Sequence, residues 1–149
     1  MEKSKERNKL KNILLWIWQF PQNLIGFFMT RYPRATKVFT CNDGEIAKVY
    51  FTKNVFNCGV SLGNYIILDY DIYFDRNINI TVNHERGHQK QSQYLGIFYL
   101  FAVGLPSITR NIIDRLFHKK WAYKDRIKWY YSHYPENWAD KLGRVIRNQ

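Results

Sequence analysis

The chain has 149 residues and a mass of 18.0 kDa, a size that suits one domain with a single hydrophobic core. Hydrophobic residues make up 46% of it and aromatic residues 17%, which excludes an intrinsically disordered protein. The formal net charge of +11 indicates attraction to an anionic partner such as phospholipid, nucleic acid or an acidic protein. Basic residues that only keep an aromatic-rich chain in solution would explain the charge equally well.

The first 30 residues combine a basic leader with the apolar segment NILLWIWQFPQNLIGFFM. Its densest apolar run, 13–18, is short, and polar residues interrupt it from Gln19 onward, whereas a membrane-spanning helix needs roughly 20 consecutive apolar residues. No small-x-small cleavage site follows, so the segment does not fit a signal peptide. We predict an amphipathic N-terminal helix over 1–30 that lies on an anionic membrane surface or packs over the domain's own core.

Two cysteines, Cys41 and Cys58, are too few for a disulfide scaffold and form no CxxC pair. We expect free thiols in a reducing compartment, with a single disulfide as the open alternative. Together with the N-terminal helix, this predicts a location in the cytoplasm or at the inner face of the membrane.

Residues 36–75 are predicted to form a small antiparallel sheet. The segments TKVFTC and IAKVYFT are rich in β-branched and aromatic residues and flank the turn sequence NDG, which favours a hairpin. From Ile66 to Phe74 every second residue is apolar, which is the period of a half-buried strand.

Helices are predicted for most of 80–149. A helical pattern begins at about Thr81, and the apolar run YLGIFYLFAVG is too short to cross a bilayer. This favours a buried core helix, with a helix that dips into a membrane as the second interpretation. Pro106 in a first turn and Ser107 as an N-cap predict a new helix that includes ITRNIIDRLF.

Two further helices are predicted near the C-terminus, one over 123–131 and one after Pro135 with acidic residues in its first turn. The expected fold class is therefore α+β, with one domain over 1–149.

The segment HERGH carries the most specific chemical signal in the chain. His84 and His88 lie four residues apart, so on a helix they project from one face and can bind one metal ion. Glu85 lies beside them, where a carboxylate can accept the proton of a metal-bound water. Gly87 costs about 1 kcal/mol relative to alanine in a helix, which predicts a close approach by another element at that point.

A catalytic zinc ion needs a third protein ligand besides the two histidines. The segment ENWAD offers Glu136 and Asp140, which are again four residues apart on a predicted helix. Glu136 could bind the metal while Asp140 accepts a hydrogen bond from a ligating histidine. Two solvated acids in a helical first turn are the alternative. The other downstream candidates are Asp114, His118, Asp125 and His133.

HERGH followed by ENWAD resembles the gluzincin metallopeptidases, and ENWAD looks particularly like the corresponding segment of the HtpX-type and CAAX-prenyl-protease family. This resemblance implies a zincin-like fold, a zinc ion on His84, His88 and Glu136, and a supporting role for Asp140. The run HERGHQKQSQYLGIFYLFAVGLPS with ENWADKLG also resembles a group of small uncharacterised bacterial proteins. The segment WQFPQNLIG resembles the N-terminal segment of the same proteins. The first resemblance covers about ten residues and the second most of the chain.

Together these features predict a zinc-dependent hydrolase, a small metallopeptidase that acts on a peptide or protein substrate with Glu85 as its general base. An oxyanion stabiliser is also expected, and Tyr130, Tyr131, His133 and Tyr134 lie just ahead of Glu136 and could supply one. In a chain with eleven tyrosines, packing in the core or at the surface is the favoured role for any one of them, so none is assigned as catalytic. The alternatives are a non-catalytic zincin-like protein, with or without its metal, and a membrane-surface accessory protein. Nucleic acid is not an expected partner, because a solvated helix face explains the basic segment RLFHKKWAYKDRIKWYY equally well.

Overall fold

The computed structural model describes residues 2–31, 36–41, 47–53, 59–73 and 78–147. This part of the chain is mixed α+β, mostly helical with a small sheet, as predicted. Its elements, in chain order, are α1 (Glu2–Trp18), α2 (Phe20–Met29), β1 (Thr36–Cys41), β2 (Ala47–Thr52), β3 (Gly59–Leu62), β4 (Tyr65–Asp69), α3 (Tyr70–Tyr73), α4 (Ile78–Leu95), a 3-10 turn (Gly96–Phe98), a π turn (Leu100–Gly104), α5 (Leu105–Phe117), α6 (Tyr123–Ser132) and α7 (Glu136–Gly143).

The sheet is mixed, with the strand order β1-β2-β4-β3. Strands β1 and β2 pair in antiparallel fashion, as predicted, and the NDG segment between them lies outside the described residues. The prediction of a wholly antiparallel sheet is wrong, because β2 and β4 pair in parallel. The position of β3 causes the difference. A turn at Gly63 (φ +60°) joins β3 and β4 into an antiparallel hairpin, and in this hairpin β4 is the strand that lies next to β2.

Strand β4 is shorter and more buried than the alternating pattern predicts. It ends at Asp69, whose side chain accepts a hydrogen bond from the backbone N–H of Asp71 (3.0 Å). Helix α3 begins at the next residue, Tyr70. All five residues of β4 are buried. Ile66 joins the core cluster with Val82 of α4, while Tyr65 packs against Gly26 of α2. Helices therefore cover both faces of this strand, and alternating polarity would not suit it.

The N-terminal segment forms two helices that meet at Gln19 instead of one. Helix α2 covers the sheet, as the core-packing alternative predicts, but it does so with Gln22, Asn23 and Gly26. Most of its apolar side chains are exposed: Phe20, Leu24, Ile25, Phe27 and Phe28. Among the described residues, no helix is both long and apolar enough to cross a membrane.

The prediction of a buried core helix in the apolar run before Gly104 is wrong. Helix α4 ends at Leu95, and the backbone passes through a positive φ of +54° at Gly96. The indole of Trp18 occupies the space that a Cβ at Gly96 would need, with its nearest atom 2.1 Å away. After this break Phe98 and Phe101 are 61% and 75% exposed, whereas Tyr99 and Val103 are buried, so the run lies at the surface and only part of it enters the core.

Helices α6 and α7 begin where the sequence predicts them. Helix α5 begins at Leu105, with Pro106 in its first turn as predicted. The prediction that Ser107 caps this helix is wrong, because its hydroxyl donates a hydrogen bond to Glu136 of α7 (2.6 Å).

Candidate metal centre

Helices α4 and α7 pack with their backbones in contact at two glycines. A Cβ on Gly87 would lie 1.9 Å from the carbonyl oxygen of Ala139, and one on Gly143 would lie 2.0 Å from that of Asn83. No side chain other than hydrogen fits at either position. The close approach predicted from Gly87 is confirmed, and it places the first turn of α7 beside the HERGH segment.

Three side chains converge where the two helices meet. The Oε2 atom of Glu136 lies 3.0 Å from Nε2 of His84 and 3.1 Å from Nε2 of His88. The two imidazole rings are 4.7 Å apart at an angle of 88°. All three residues are buried, and their ligand atoms lie within 4.8 Å of one another, so the group could hold a metal ion.

Each histidine is oriented by a hydrogen bond to its other ring nitrogen. Nδ1 of His84 lies 2.7 Å from Oδ1 of Asp140, and Nδ1 of His88 lies 2.8 Å from Oε1 of Gln91. Gln91 donates its amide N–H to the carbonyl oxygen of Pro135 (3.0 Å), which fixes Oε1 as the acceptor. Both Nδ1 atoms therefore donate, so loss of the proton from Nε2, as metal binding requires, would leave each histidine with a lone pair directed at the point that Glu136 shares.

Asp140 is held in place by Arg147, whose Nε and Nη2 atoms donate to its two oxygens over 2.7 and 2.9 Å. The guanidinium of Arg147 also stacks over the ring of Tyr131, 3.3 Å from its centroid. The rings of Tyr131 and His84 are nearly perpendicular, with a centroid distance of 5.0 Å. The imidazole of His84 is thus supported by two side chains that it contacts, Asp140 and Tyr131, and Arg147 links these two.

The charges at the site depend strongly on one another. Burial alone would lower the pKa of His84, but its hydrogen bonds to Asp140 and Glu136 raise that pKa to about 9. Burial would raise the pKa of Glu136, and hydrogen bonds from His84 and His88 instead hold it well below its usual range. The pKa of Asp140 is also lowered, because His84 and Arg147 outweigh its partial burial. Glu136 and Asp140 therefore stay ionised at neutral pH.

Glu85 differs from the other two carboxylates. It is buried, and its Oε2 atom has no hydrogen-bond partner among the described residues. Burial raises its pKa, an effect that the neighbouring histidines His88 and His84 only partly offset. Its other oxygen lies against Gly59 of β3, where a Cβ would be 2.5 Å away. The free oxygen is thus a proton acceptor without a fixed partner.

A cavity of about 430 Å³ adjoins the three convergent side chains. Residues of strand β3, which lies at one end of the strand order, line it together with residues of α5 and α6. Its polar lining includes Glu85, Ser107, Asn111, Tyr130 and Tyr131. This volume is in the range of small-ligand and peptide pockets.

The structure brings together the five residues on which the sequence analysis settled: His84, Glu85, His88, Glu136 and Asp140. None of the other downstream candidates belongs to the metal-ligand group, although Asp114 lines the same cavity. Asp114 pairs with Arg126, His133 bonds the carbonyl oxygen of Trp129, and Asp125 is exposed. His118 stacks on Trp121 with ring centroids 3.9 Å apart.

Three residues that the sequence analysis did not assign to the site also contact it. Gln91 lies three residues after His88, so helical spacing could have indicated its role. Ser107 donates to Oε1 of Glu136. Its position at the start of a predicted helix indicated an N-cap, so nothing in the sequence indicated this contact. Arg147 follows the end of α7, and no motif marks it.

Among the expected oxyanion stabilisers, Tyr130 and Tyr131 line the cavity, and burial raises the pKa of each phenol. Both therefore stay protonated at neutral pH and can donate a hydrogen bond. Tyr134 instead donates to the carbonyl oxygen of Ala102 (2.5 Å). Comparison with protein families, with functionally described proteins and with solved structures gave no match.

Proposed function

We propose that this protein is a zinc-dependent hydrolase, a small metallopeptidase with a zincin-like arrangement of its metal helix. The observation that carries the proposal is the convergence of the Nε2 atoms of His84 and His88 on Oε2 of Glu136, over 3.0 and 3.1 Å. The hydrogen bonds to both Nδ1 atoms supply the second layer that metal-ligating histidines need. Two imidazoles and one carboxylate are a ligand set that catalytic zinc uses.

The spacing of these atoms fits a zinc ion. At zinc–ligand distances of 2.0 to 2.2 Å, tetrahedral geometry separates two ligand atoms by about 3.3 to 3.5 Å. The two separations here are a few tenths of an ångström shorter, so small side-chain rotations would admit the ion. The ion would lower the pKa of a bound water towards neutrality and polarise a substrate carbonyl.

Glu85 is the proposed general base. Its free Oε2 atom can accept a proton from water and pass it to the leaving amine. Its burial-raised pKa suits that role, because a more basic carboxylate accepts a proton more readily near neutral pH. The protonated phenols of Tyr130 and Tyr131, which also line the cavity, are available to donate a hydrogen bond to the developing oxyanion.

The proposed substrate is a peptide or protein segment. Strand β3 lines the cavity at the end of the strand order, so an extended chain can pair with its backbone next to Glu85.

A non-catalytic protein is the second candidate, and one observation favours it. A protonated His84 donates to both Asp140 and Glu136, and its pKa of about 9 means that this ionic cluster is satisfied at neutral pH without a metal. Such a cluster could act as a structural link between α4 and α7.

The decisive experiment measures zinc content and peptide hydrolysis in the same preparations. The wild-type protein should contain one zinc ion per chain and cleave members of a peptide mixture, as detected by mass spectrometry. Glu85→Gln keeps the size of the side chain and should retain the zinc while hydrolysis falls by at least a hundredfold. A matched control is Glu45→Gln, a glutamate outside HERGH and ENWAD.

Each result distinguishes the candidates. Zinc content near zero, with folding unaffected by a chelator, would establish the non-catalytic alternative. Zinc binding without hydrolysis in the wild type would reduce the role of the metal to a structural one. Full hydrolysis by Glu85→Gln would exclude Glu85 as the base.

A further inference from the structure

Helix α2 has the reverse of the polarity expected for a helix on a water-facing domain. The residues that it buries are Gln22, Asn23 and Gly26, while Leu24 and Phe28 are exposed. The amide group of Gln22 donates to Ser92 (3.0 Å) and to the carbonyl oxygen of Gly96 (2.7 Å), while its buried Oε1 atom has no hydrogen-bond partner among the described residues. A helix in water normally turns its apolar stripe inward. Polar contacts inside and apolar residues outside suit a surface that meets lipid.

This reversed surface continues across a junction with the segment that follows α4. Trp18 donates its indole N–H to the carbonyl oxygen of Gln93 (3.0 Å), and its ring lies against Gly96. Phe98 comes two residues later and is exposed. The two segments therefore adjoin at the contact of Trp18 with Gly96, and we call the exposed apolar residues of 10–28 and of 97–117 together the apolar face.

Helix α5 extends the apolar face. Leu105, Ile108, Ile112 and Leu116 are three or four residues apart and so form one stripe, and all four are exposed. None of the residues of α5 is buried. Such a helix is strongly amphipathic, yet its apolar stripe has no partner among the described residues that buries it.

Positive charge is concentrated in the same parts of the sequence. Residues 2–31 include six basic and two acidic residues, a net charge of +4. Residues 94–132 include seven basic and two acidic residues, a net charge of +5. These two segments thus supply +9 of the total of +11, while they also supply the apolar face.

We propose that the apolar face binds the surface of an anionic lipid bilayer, with α1, α2 and α5 lying in the plane of the interface. A bilayer offers both features that the face requires, an apolar phase for the exposed side chains and negative head groups for the flanking cations. A second copy of the chain would bring one cationic surface against another. A nucleic acid would neutralise the charge but leave the aliphatic stripe of α5 in water. The proposal does not depend on zinc or on hydrolysis.

The position of the cavity gives this docking a consequence for the proposed peptidase. Ile108 belongs to the apolar stripe and is 59% exposed, yet it also lines the cavity. The cavity thus reaches the edge of the apolar face. Where the hydrolase function holds, polypeptide segments at the membrane surface are its substrates.

Vesicle flotation without any substrate tests the docking. The full chain should float with vesicles of equal parts phosphatidylglycerol and phosphatidylcholine, and at least tenfold less with pure phosphatidylcholine or in high salt. The double variants Phe98→Ser with Phe101→Ser and Leu116→Ser with Phe117→Ser should each lower the apparent affinity for the anionic vesicles about tenfold or more. Ile146→Ser is the matched control, since Ile146 is 81% exposed and lies outside the apolar face.

Two further measurements keep the test independent of the variants' folding and of catalysis. Brominated lipid should quench the fluorescence of the wild-type protein through Trp16 and Trp18, which are exposed on the apolar face. Glu85→Gln should float like the wild type, so a failure of the proposed hydrolysis leaves this result unchanged. Equal flotation of the apolar-face variants and the wild type would overturn the proposal, as would a dimer in lipid-free solution that the same variants dissociate.

Discussion

The substitution Gly87→Ala tests whether the contact between α4 and α7 positions the candidate metal ligands. The new Cβ would lie 1.9 Å from the carbonyl oxygen of Ala139, whereas ordinary contact begins at 3.4 Å. The two backbones must therefore separate by about 1.5 Å at this point, and neither can rotate away as a flexible side chain could. Ala139 is three residues after Glu136, one helical turn, so the ligand moves with it.

The displacement is large compared with what a metal site tolerates. Functional metal–ligand distances hold to about 0.2 Å, several times less than the required movement. Overpacking typically costs about 1 to 3 kcal/mol, which the gain of about 1 kcal/mol in helix propensity offsets in part. We expect a modest loss of folding stability and a much larger loss of zinc affinity.

The assay combines zinc stoichiometry after dialysis with urea unfolding of the metal-free protein. Gly104→Ala is the matched control, because a Cβ there meets its nearest atom at 3.7 Å. This control should keep its zinc and its stability. If Gly87→Ala also retained one zinc ion and unfolded like the wild type, the close helix contact would not be what positions Glu136.

Two substitutions test the residues that support the ligands. Asp140→Asn removes the charge that His84 and Arg147 share, so zinc affinity should fall about 10- to 100-fold by competition with a chromogenic chelator, while Asp125→Asn on the exposed part of α6 should have no effect. An unchanged affinity would show that Asp140 does not orient the imidazole. Ser107→Ala removes the donor to Oε1 of Glu136 and should cost about 1 kcal/mol of stability in urea unfolding, together with a several-fold loss of zinc affinity. The exposed serine substitution Ser132→Ala is its control, and equal losses in both variants would exclude a specific role for Ser107.

The candidate site was more predictable from sequence than the sheet, for a physical reason. The relation of His84 to His88 and of Glu136 to Asp140 is a helical spacing of four, which the backbone geometry alone converts into a shared face. Gly87 added a signal about tertiary packing, because an interior glycine is costly unless something presses against it. Strand pairing has no comparable local signature. Whether β4 runs parallel or antiparallel to β2 depends on where β3 docks, and no spacing in the sequence records that choice.

The largest departures from expectation fall on the apolar face and share one cause. The run before Gly104 is predicted from sequence to be a buried helix because it is apolar and too short to cross a bilayer. The polar residues of 19–23 are interpreted there as interruptions of an apolar run and not as the face of a helix that packs on the domain. The structure reverses both assignments: Gln22 and Asn23 hold the helix against the domain, and Phe98 and Phe101 project outward. Hydrophobic periodicity therefore identified the amphipathic elements correctly but could not determine which of their two faces lies inside. That choice depends on hydrogen-bond partners such as Ser92, Gly96 and Asn64, distant in sequence from α2, which become visible only once the chain is folded.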